Sequence, residues 1–453
     1  MVVTPSLVAT DRLWGADESN ALRRLGVFML LLYGFVRFSF VSEIANHITN
    51  SRPFLVLGLG LPATALMLIS GGIRRTFRAR PAYFMAGLML WLLLVTPFSF
   101  WRGGSVEVLT QAFETEFSML FLLAGLLLTI REVDKFFSVL ALSGAFVILA
   151  SFYYGSEEGG RFGFSFGSLE NANDYATHLL LVMPFLLLVV FNSSSSILRY
   201  SGGVFILLGL YLVLKTGSRG ALLALLGMLC FFFLKSNMAQ RAAIALTVGA
   251  LTAVLLFALP HSTVQRYLTL VDSSVEEQAA TDFEMGQAVG SATARKDLLT
   301  NSLMVTATHP LVGVGPGMFA ASDAERAKDE GRRGNWLVTH NSYTEISSET
   351  GVPGFVLFVG ALLSSWLLLG RVYARAKKDP RFVLIRNAAF CIMLSILGFS
   401  ICIFFAAMSY RYYLPTLVGL SIAFAAAAQR EMDNAATARP VLSTLPWAPR
   451  TTR

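Results

Sequence analysis

Apolar runs long enough to cross a bilayer alternate with short polar breaks along most of this chain. A helix needs about 20 predominantly apolar residues to traverse the hydrocarbon core, and runs of roughly that length recur. The pattern predicts helices near 25–45, 53–71, 81–101, 113–130, 134–154, 173–191, 201–217, 220–235, 241–260, 352–373, 384–408 and 411–429. The polar stretch before Leu25 lacks a short apolar core followed by a small-residue cleavage site, so the first run reads as a retained anchor. One interruption differs in kind. From Pro260 to Gly351 the chain runs about ninety residues, far beyond an ordinary connection, and is expected to carry short helices of its own. The expected architecture is all-α and polytopic, with about twelve transmembrane helices: 1–24 as an N-terminal segment, helices one to nine over 25–260, the large loop over 261–351, helices ten to twelve over 352–429, and a tail at 430–453. That tail is rich in Ala, Thr and Pro and reads as disordered.

Composition agrees: 55% of the 453 residues are hydrophobic and 14% charged, with mean hydropathy +0.62, where a soluble domain carries nearer a quarter charged residues. The net charge of +8 therefore reports topology before it reports nucleic-acid affinity, and no nucleic-acid partner is expected. With a cytoplasmic N-terminus, the inner loops receive Arg74, Arg75, Arg78, Arg80, Arg131, Lys135, Lys235 and Arg241, then the cluster from Arg371 to Arg381, with Arg430 opening the tail. The short outer loops hold little more than Arg52, Arg102, Arg161 and Arg411. This is the positive-inside asymmetry; it puts both termini in the cytoplasm and the large loop outside. Cys230, Cys391 and Cys402 all fall inside apolar runs, which excludes a disulfide framework in an exposed loop.

Two outer-side cations break the rule. In "VLKTGSRGALLALL", Lys215 and Arg219 sit at a tight turn between two spans, where Gly217 and Gly220 let the backbone turn closely around Ser218 and Arg219. Ionisable groups at a membrane edge imply function, against the plainer alternative of snorkelling to lipid headgroups. In the large loop, Ala294–Thr306 reads as an amphipathic helix with Leu298, Leu299, Leu303 and Met304 on one side and Arg295 near its start, where the helix dipole disfavours a cation. "GVGPG" (Gly313–Gly317) reads as a tight turn, not a phosphate loop, because no strand precedes it and no Lys-Ser/Thr follows. Asp174 and His178, four apart at a helix start, read as a structural pair. Asp282 and Glu284 form an isolated acidic pair of the kind usually solvated.

The stretch "THNSYTEISSETGVPG" (Thr339–Gly354) carries one of only five histidines. Ser342-x-x-Glu345 reads as a capping box, so Tyr343–Thr350 is a short surface helix and Val352 opens the next span. His340 and Asn341 precede that helix, where partial positive charge favours anions; a helix-capping polar loop residue is the competing reading of His340.

The string H-N-x9-G-x-x-G, from His340 and Asn341 through Gly351 to Gly354, resembles the signature of the O-antigen ligase and O-antigen polymerase superfamily. "HPLVGVGPGMF", "TGSRGALLALL" and "SATARKDLL" resemble its other characteristic blocks, and the blocks run from about Asn171 to Leu369. The resemblance implies a multi-pass enzyme of the bacterial inner membrane, both termini cytoplasmic, that moves a glycan from undecaprenyl pyrophosphate at the periplasmic face. Its acceptor would be lipid A–core for a ligase, or another lipid-linked glycan for a polymerase. It further implies Arg219 and Arg295 as pyrophosphate-contacting residues and His340 as the essential histidine, with no metal and no cofactor. Lys215, Ser218, Asn341 and Tyr343 are candidate substrate contacts beside them. A sugar on pyrophosphate is already activated, and fixed guanidiniums suit the charge that grows on the leaving group. A protein O-oligosaccharyltransferase and a polysaccharide transporter are the remaining readings; a transporter more often places ionisable groups at mid-membrane within repeated halves.

Overall fold

A computed structural model describes residues 18–51, 54–158, 160–257, 263–264, 267, 283–331, 334 and 336–437. It is helical nearly throughout. In chain order the helices are α1 (Ala21–Ser39), α2 (Val41–Thr49), α3 (Leu55–Ile69), α4 (Gly72–Thr76), α5 (Arg80–Val95), α6 (Arg102–Gln111), α7 (Ser118–Leu126), α8 (Ile130–Tyr154), α9 (Ala172–Asn192), α10 (Ser196–Lys215), α11 (Arg219–Lys235), α12 (Met238–Phe257), α13 (Phe283–Thr308), α14 (Phe319–Asp329), α15 (Ser342–Ala376), α16 (Val383–Cys402) and α17 (Tyr413–Thr437). A π-helical turn, Ala112–Glu116, joins α6 to α7. The only strands among the described residues, β1 (Gly155–Glu158) and β2 (Arg161–Phe164), form an antiparallel hairpin between α8 and α9.

Among the described residues, six helical segments are long and apolar enough to cross a membrane, and a seventh follows if α1 and α2 are one broken span. The large apolar share of the chain thus becomes membrane-length helices. Breaks are where the pattern misled. The run expected at 25–45 bends by 66° at Phe40, which takes a left-handed backbone conformation (φ 56°). The run expected at 113–130 begins earlier, at Arg102, and passes through the π turn before ending at Leu126. The run expected to reach 408 stops at Cys402 and yields to a packed turn. Apolar composition records that a segment prefers lipid or core; it does not record where the hydrogen-bond ladder breaks.

The helix starts are set by side chains. Asn20 caps α1, accepting from the Leu22 and Arg23 amides, and Thr129 with Glu132 forms a capping box on α8. Arg23, almost fully buried, ties these ends together: one Nη reaches Glu132 at 2.8 Å and the Leu126 carbonyl at 2.7 Å. A buried guanidinium is tolerable only when paired and hydrogen-bonded. The core sits where α9 packs on α16, α10 and α8, and where α15 packs on α5 and α16. His178 lies inside it, fully buried, its Nδ1 3.2 Å from the Tyr413 hydroxyl. The expected Asp174–His178 pair does not form, because His178 turns inward to Tyr413 and the aromatic rings of Phe38 and Phe40.

Candidate functional site

At one end of the bundle the turn from α10 to α11, the helix α13, the hairpin and the start of α15 converge. Lys215 ends α10, and Arg219 is the first residue of α11. Ser218 between them caps α11, accepting from the Ala221 amide at 3.3 Å, and donates to Asn173 Oδ1 at 2.8 Å. Arg219 therefore places a half-buried positive charge at a helix N-terminus, against the dipole. It is Arg219, not the expected Arg295, whose charge opposes a helix dipole. α13 starts at Phe283, so Arg295 lies mid-helix. The buried face of α13 also differs from the expected one. Leu298 and Val305 join Val314, Met318 and Phe319 in a small core, while Leu299, Leu303 and Met304 are exposed.

Arg295 is half-buried and makes no hydrogen bond or ion pair with any described residue. Burial lowers its pKa, and the neighbouring charge of Arg219 lowers it further; a guanidinium remains protonated all the same. His340 is held in the left-handed region (φ 50°), which costs a non-glycine residue on the order of 1–3 kcal/mol. Thr339 and Asn341 stabilise that bend, with Thr339 Oγ1 donating to the Asn341 carbonyl at 3.0 Å. Burial, then the charges of Arg295 and Arg161, hold the His340 imidazole below its usual value of 6.5, so it is neutral at neutral pH. Among the described residues, the charges that shift Arg295 and His340 are positive. Arg295 thus lies within electrostatic reach of both Arg219 and His340.

Arg161, which sequence reasoning counted only as an outer-loop charge, joins them. It stands on β2, fixed by Asn173 Oδ1 at 2.7 Å and the Thr216 carbonyl at 3.3 Å. The hairpin thereby brings a third guanidinium next to the α10–α11 turn. The signal was present: like Arg219, it stands where the charge pattern expects few cations.

The remaining candidates are engaged within the protein. Lys215 pairs with Glu157 on β1 at 2.6 Å and lies over the Phe162 ring. Asn341 caps α15, accepting from the Tyr343 and Thr344 amides. Tyr343 donates to the Ser400 carbonyl at 2.9 Å and packs on Phe404. The expected Ser342–Glu345 capping box is absent, because both side chains turn to the segment after α16. Ser342 Oγ donates to the Ala406 carbonyl and accepts from the Met408 amide, each at 2.8 Å, and Glu345 accepts from the Ser409 amide at 3.1 Å.

Gly313–Gly317 is a turn, and the amides at its end already hold a carboxyl group, that of Glu349, whose pKa burial and then Glu345 push up to about 8. Gly317 N reaches Glu349 Oε2 at 2.7 Å and Phe319 N reaches Oε1 at 3.1 Å. Tyr410 donates to the same carboxyl group at 2.6 Å. Gly315 N and Val314 N bond the Glu349 and Ser348 carbonyls. The glycine loop is thus bolted to the first two turns of α15, and Glu349, which the sequence left unremarked, is the bolt. Just beyond it Gly351 breaks the helix at φ 72°, ψ −177°, and Val352 N bonds the Pro310 carbonyl at 2.8 Å. α15 is therefore a short site helix continued into a span, as expected for Tyr343–Thr350 and Val352.

The class these features define is a polytopic helical membrane protein with a cluster of arginines around a neutral histidine at one end of its bundle. Residues 203–359 match the family model described as O-antigen ligase. The match spans about a third of the chain and agrees with the motif resemblance to the O-antigen ligase and polymerase superfamily. The segment contains Arg219, Arg295 and His340; Arg161 lies outside it. No curated protein matches the chain.

Proposed function

We propose that this protein is an O-antigen ligase-type glycosyltransferase, moving a glycan from undecaprenyl pyrophosphate onto lipid A–core at the periplasmic face of the bacterial inner membrane. The observation carrying this reading is a half-buried Arg295 that lacks an anionic partner among the described residues and is destabilised by Arg219. Like charges held together in a partly dehydrated site are relieved by binding an anion, and a pyrophosphate carries enough charge for several guanidiniums.

In the reaction the bond from the anomeric carbon to the pyrophosphate oxygen breaks, and the electron pair leaves with the phosphate. Arg219 and Arg295 face the charge that develops there, and preorganised charge of this kind is usually the largest catalytic contribution. Neutral His340 takes the proton from the acceptor hydroxyl as its oxygen bonds to the anomeric carbon. Arg161 keeps that imidazole neutral and adds positive potential. The chemistry needs no divalent cation, because guanidiniums fill its role. In this reading the crossings total twelve, with α3, α6–α7, α11, α12 and α17 joining the segments already long enough, and both termini are cytoplasmic.

The test is purified protein in lipid, given undecaprenyl-pyrophosphate glycan, lipid A–core and EDTA. Product formed under chelation and lost in Arg219→Ala and His340→Ala supports the proposal. Strict dependence on added metal sinks it.

A further inference from the structure

At the end of the bundle opposite His340, α5, α15 and α17 surround a cavity of about 690 Å³. The helix directions fix that placement. The segment after α5 meets the glycine loop, where Phe100 N bonds the Val314 carbonyl at 2.8 Å, while the N-terminus of α5 opens on the cavity. α15 begins beside His340 and reaches the cavity near its other end, and α17 runs from the His178 partner Tyr413 down to Arg430.

Arg78, Arg80, Arg371 and Arg430 line the cavity, against one acid, Asp433. Asp433 is paired with Arg375, and Arg430 is paired with Glu18. Arg80 and Arg371 make no hydrogen bond or ion pair with any described residue. The N-terminus of α5 has no side-chain cap, which adds the positive end of a helix dipole to the same rim.

Below the rim the walls are apolar, and they are arranged in rows. Phe84 follows Arg80 by four residues, and Leu367 and Leu363 precede Arg371 by four and eight. Positions four apart share one helix face, at steps of about 6 Å along the axis. Each row therefore starts with a guanidinium and continues as hydrocarbon. Leu363 and Leu367 are about half exposed (54% and 50%), so the apolar rows are open to an occupant. An inorganic anion would use only the rim. An amphiphile with an anionic head and an acyl tail matches both parts, as basic pockets between membrane helices do for anionic lipid headgroups.

We infer that this cavity binds an anionic phospholipid, its phosphate between Arg80 and Arg371 and its acyl chain along Phe84, Leu367 and Leu363. The inference is independent of what the opposite end catalyses.

Native mass spectrometry of the full chain in detergent, with phosphatidylglycerol, cardiolipin or phosphatidylethanolamine added at equal concentration, tests it. The expected result is preferential retention of the anionic lipids, falling at least about tenfold in the R80Q/R371Q variant and restored in R80K/R371K. Should R80Q/R371Q not fold, Ser364→Glu, which places a carboxylate in the cavity wall and removes no arginine, is expected to release the lipid equally. Inorganic phosphate and soluble glycerol phosphate are expected not to displace it. Equal retention of zwitterionic and anionic lipids overturns the inference, as does retention unchanged by both R80Q/R371Q and Ser364→Glu. Displacement by inorganic phosphate as effective as by lipid also overturns it, showing a plain anion site.

Discussion

Arg295 couples electrostatically to both Arg219 and His340, dozens of residues away in sequence, and substitutions at the three are expected to separate by role. In the proposed reaction Arg219→Ala removes a charge aimed at the leaving group, and losing one such contact typically costs about 10²–10³ in turnover. Arg219→Lys keeps the charge but not the planar fork, so intermediate activity is expected in the same reconstituted assay; wild-type activity would argue against two-pronged phosphate recognition. His340 yields a pH prediction. Its pKa is lowered from 6.5 by burial, Arg295 and Arg161. A neutral base is lost only as pH falls through that depressed value, so the acid limb of the activity profile lies below 6.5. Removing the Arg161 charge makes protonation easier, so Arg161→Gln moves the limb upward. Activity that instead falls as pH rises through this range would show that His340 works protonated. At this scale the chain marked Arg219, Arg295 and His340 as candidates, because basic residues stand out without a structure where the charge pattern expects few. It did not mark Arg161, since its relevance depends on a hairpin too short and polar to register as strands.

At the scale of elements, the joint between the glycine loop and α15 carries the next predictions. Glu349 accepts from the Gly317 and Phe319 amides and the Tyr410 hydroxyl. Glu349→Ala leaves three buried donors without an acceptor, at about 1–3 kcal/mol each, so a loss of at least about 3 kcal/mol is expected in thermal unfolding. Glu349→Gln keeps an acceptor and should lose less. Gly351→Ala is expected to destabilise comparably. A Cβ there would sit 2.3 Å from the Leu311 carbonyl oxygen, in a backbone conformation essentially confined to glycine. A melting curve indistinguishable from wild type would show that the loop and helix are not joined this way. The sequence marked both ends of this joint as turns but not their bond. A glutamate in a polar-looking stretch reads as solvated until the fold closes over it.

The whole molecule sets which end of the bundle faces which compartment, and labelling can test it. In a background with Cys230 replaced by Ser, Lys328→Cys on α14 is expected to react with a membrane-impermeant thiol reagent in intact spheroplasts. Lys378→Cys, beyond α15, should react only after lysis; the reverse pattern would invert the proposed topology. A gene deletion separates the acceptors: loss of a ligase leaves long lipid-linked chains uncoupled, whereas single repeats on the core would mean a polymerase. What the chain determined by itself follows from local physics. Apolar length demands helices, charge asymmetry gives an expected orientation, and a few out-of-pattern arginines with one histidine give candidate site residues. What only the tertiary structure decided depends on neighbours distant in sequence: the bend at Phe40, the inward turn of His178, the capture of the glycine loop by Glu349, the approach of Arg161, and the arginine-rimmed cavity at the far end. A backbone amide or guanidinium acquires its role from the group that meets it, and that partner is fixed only when the helices pack.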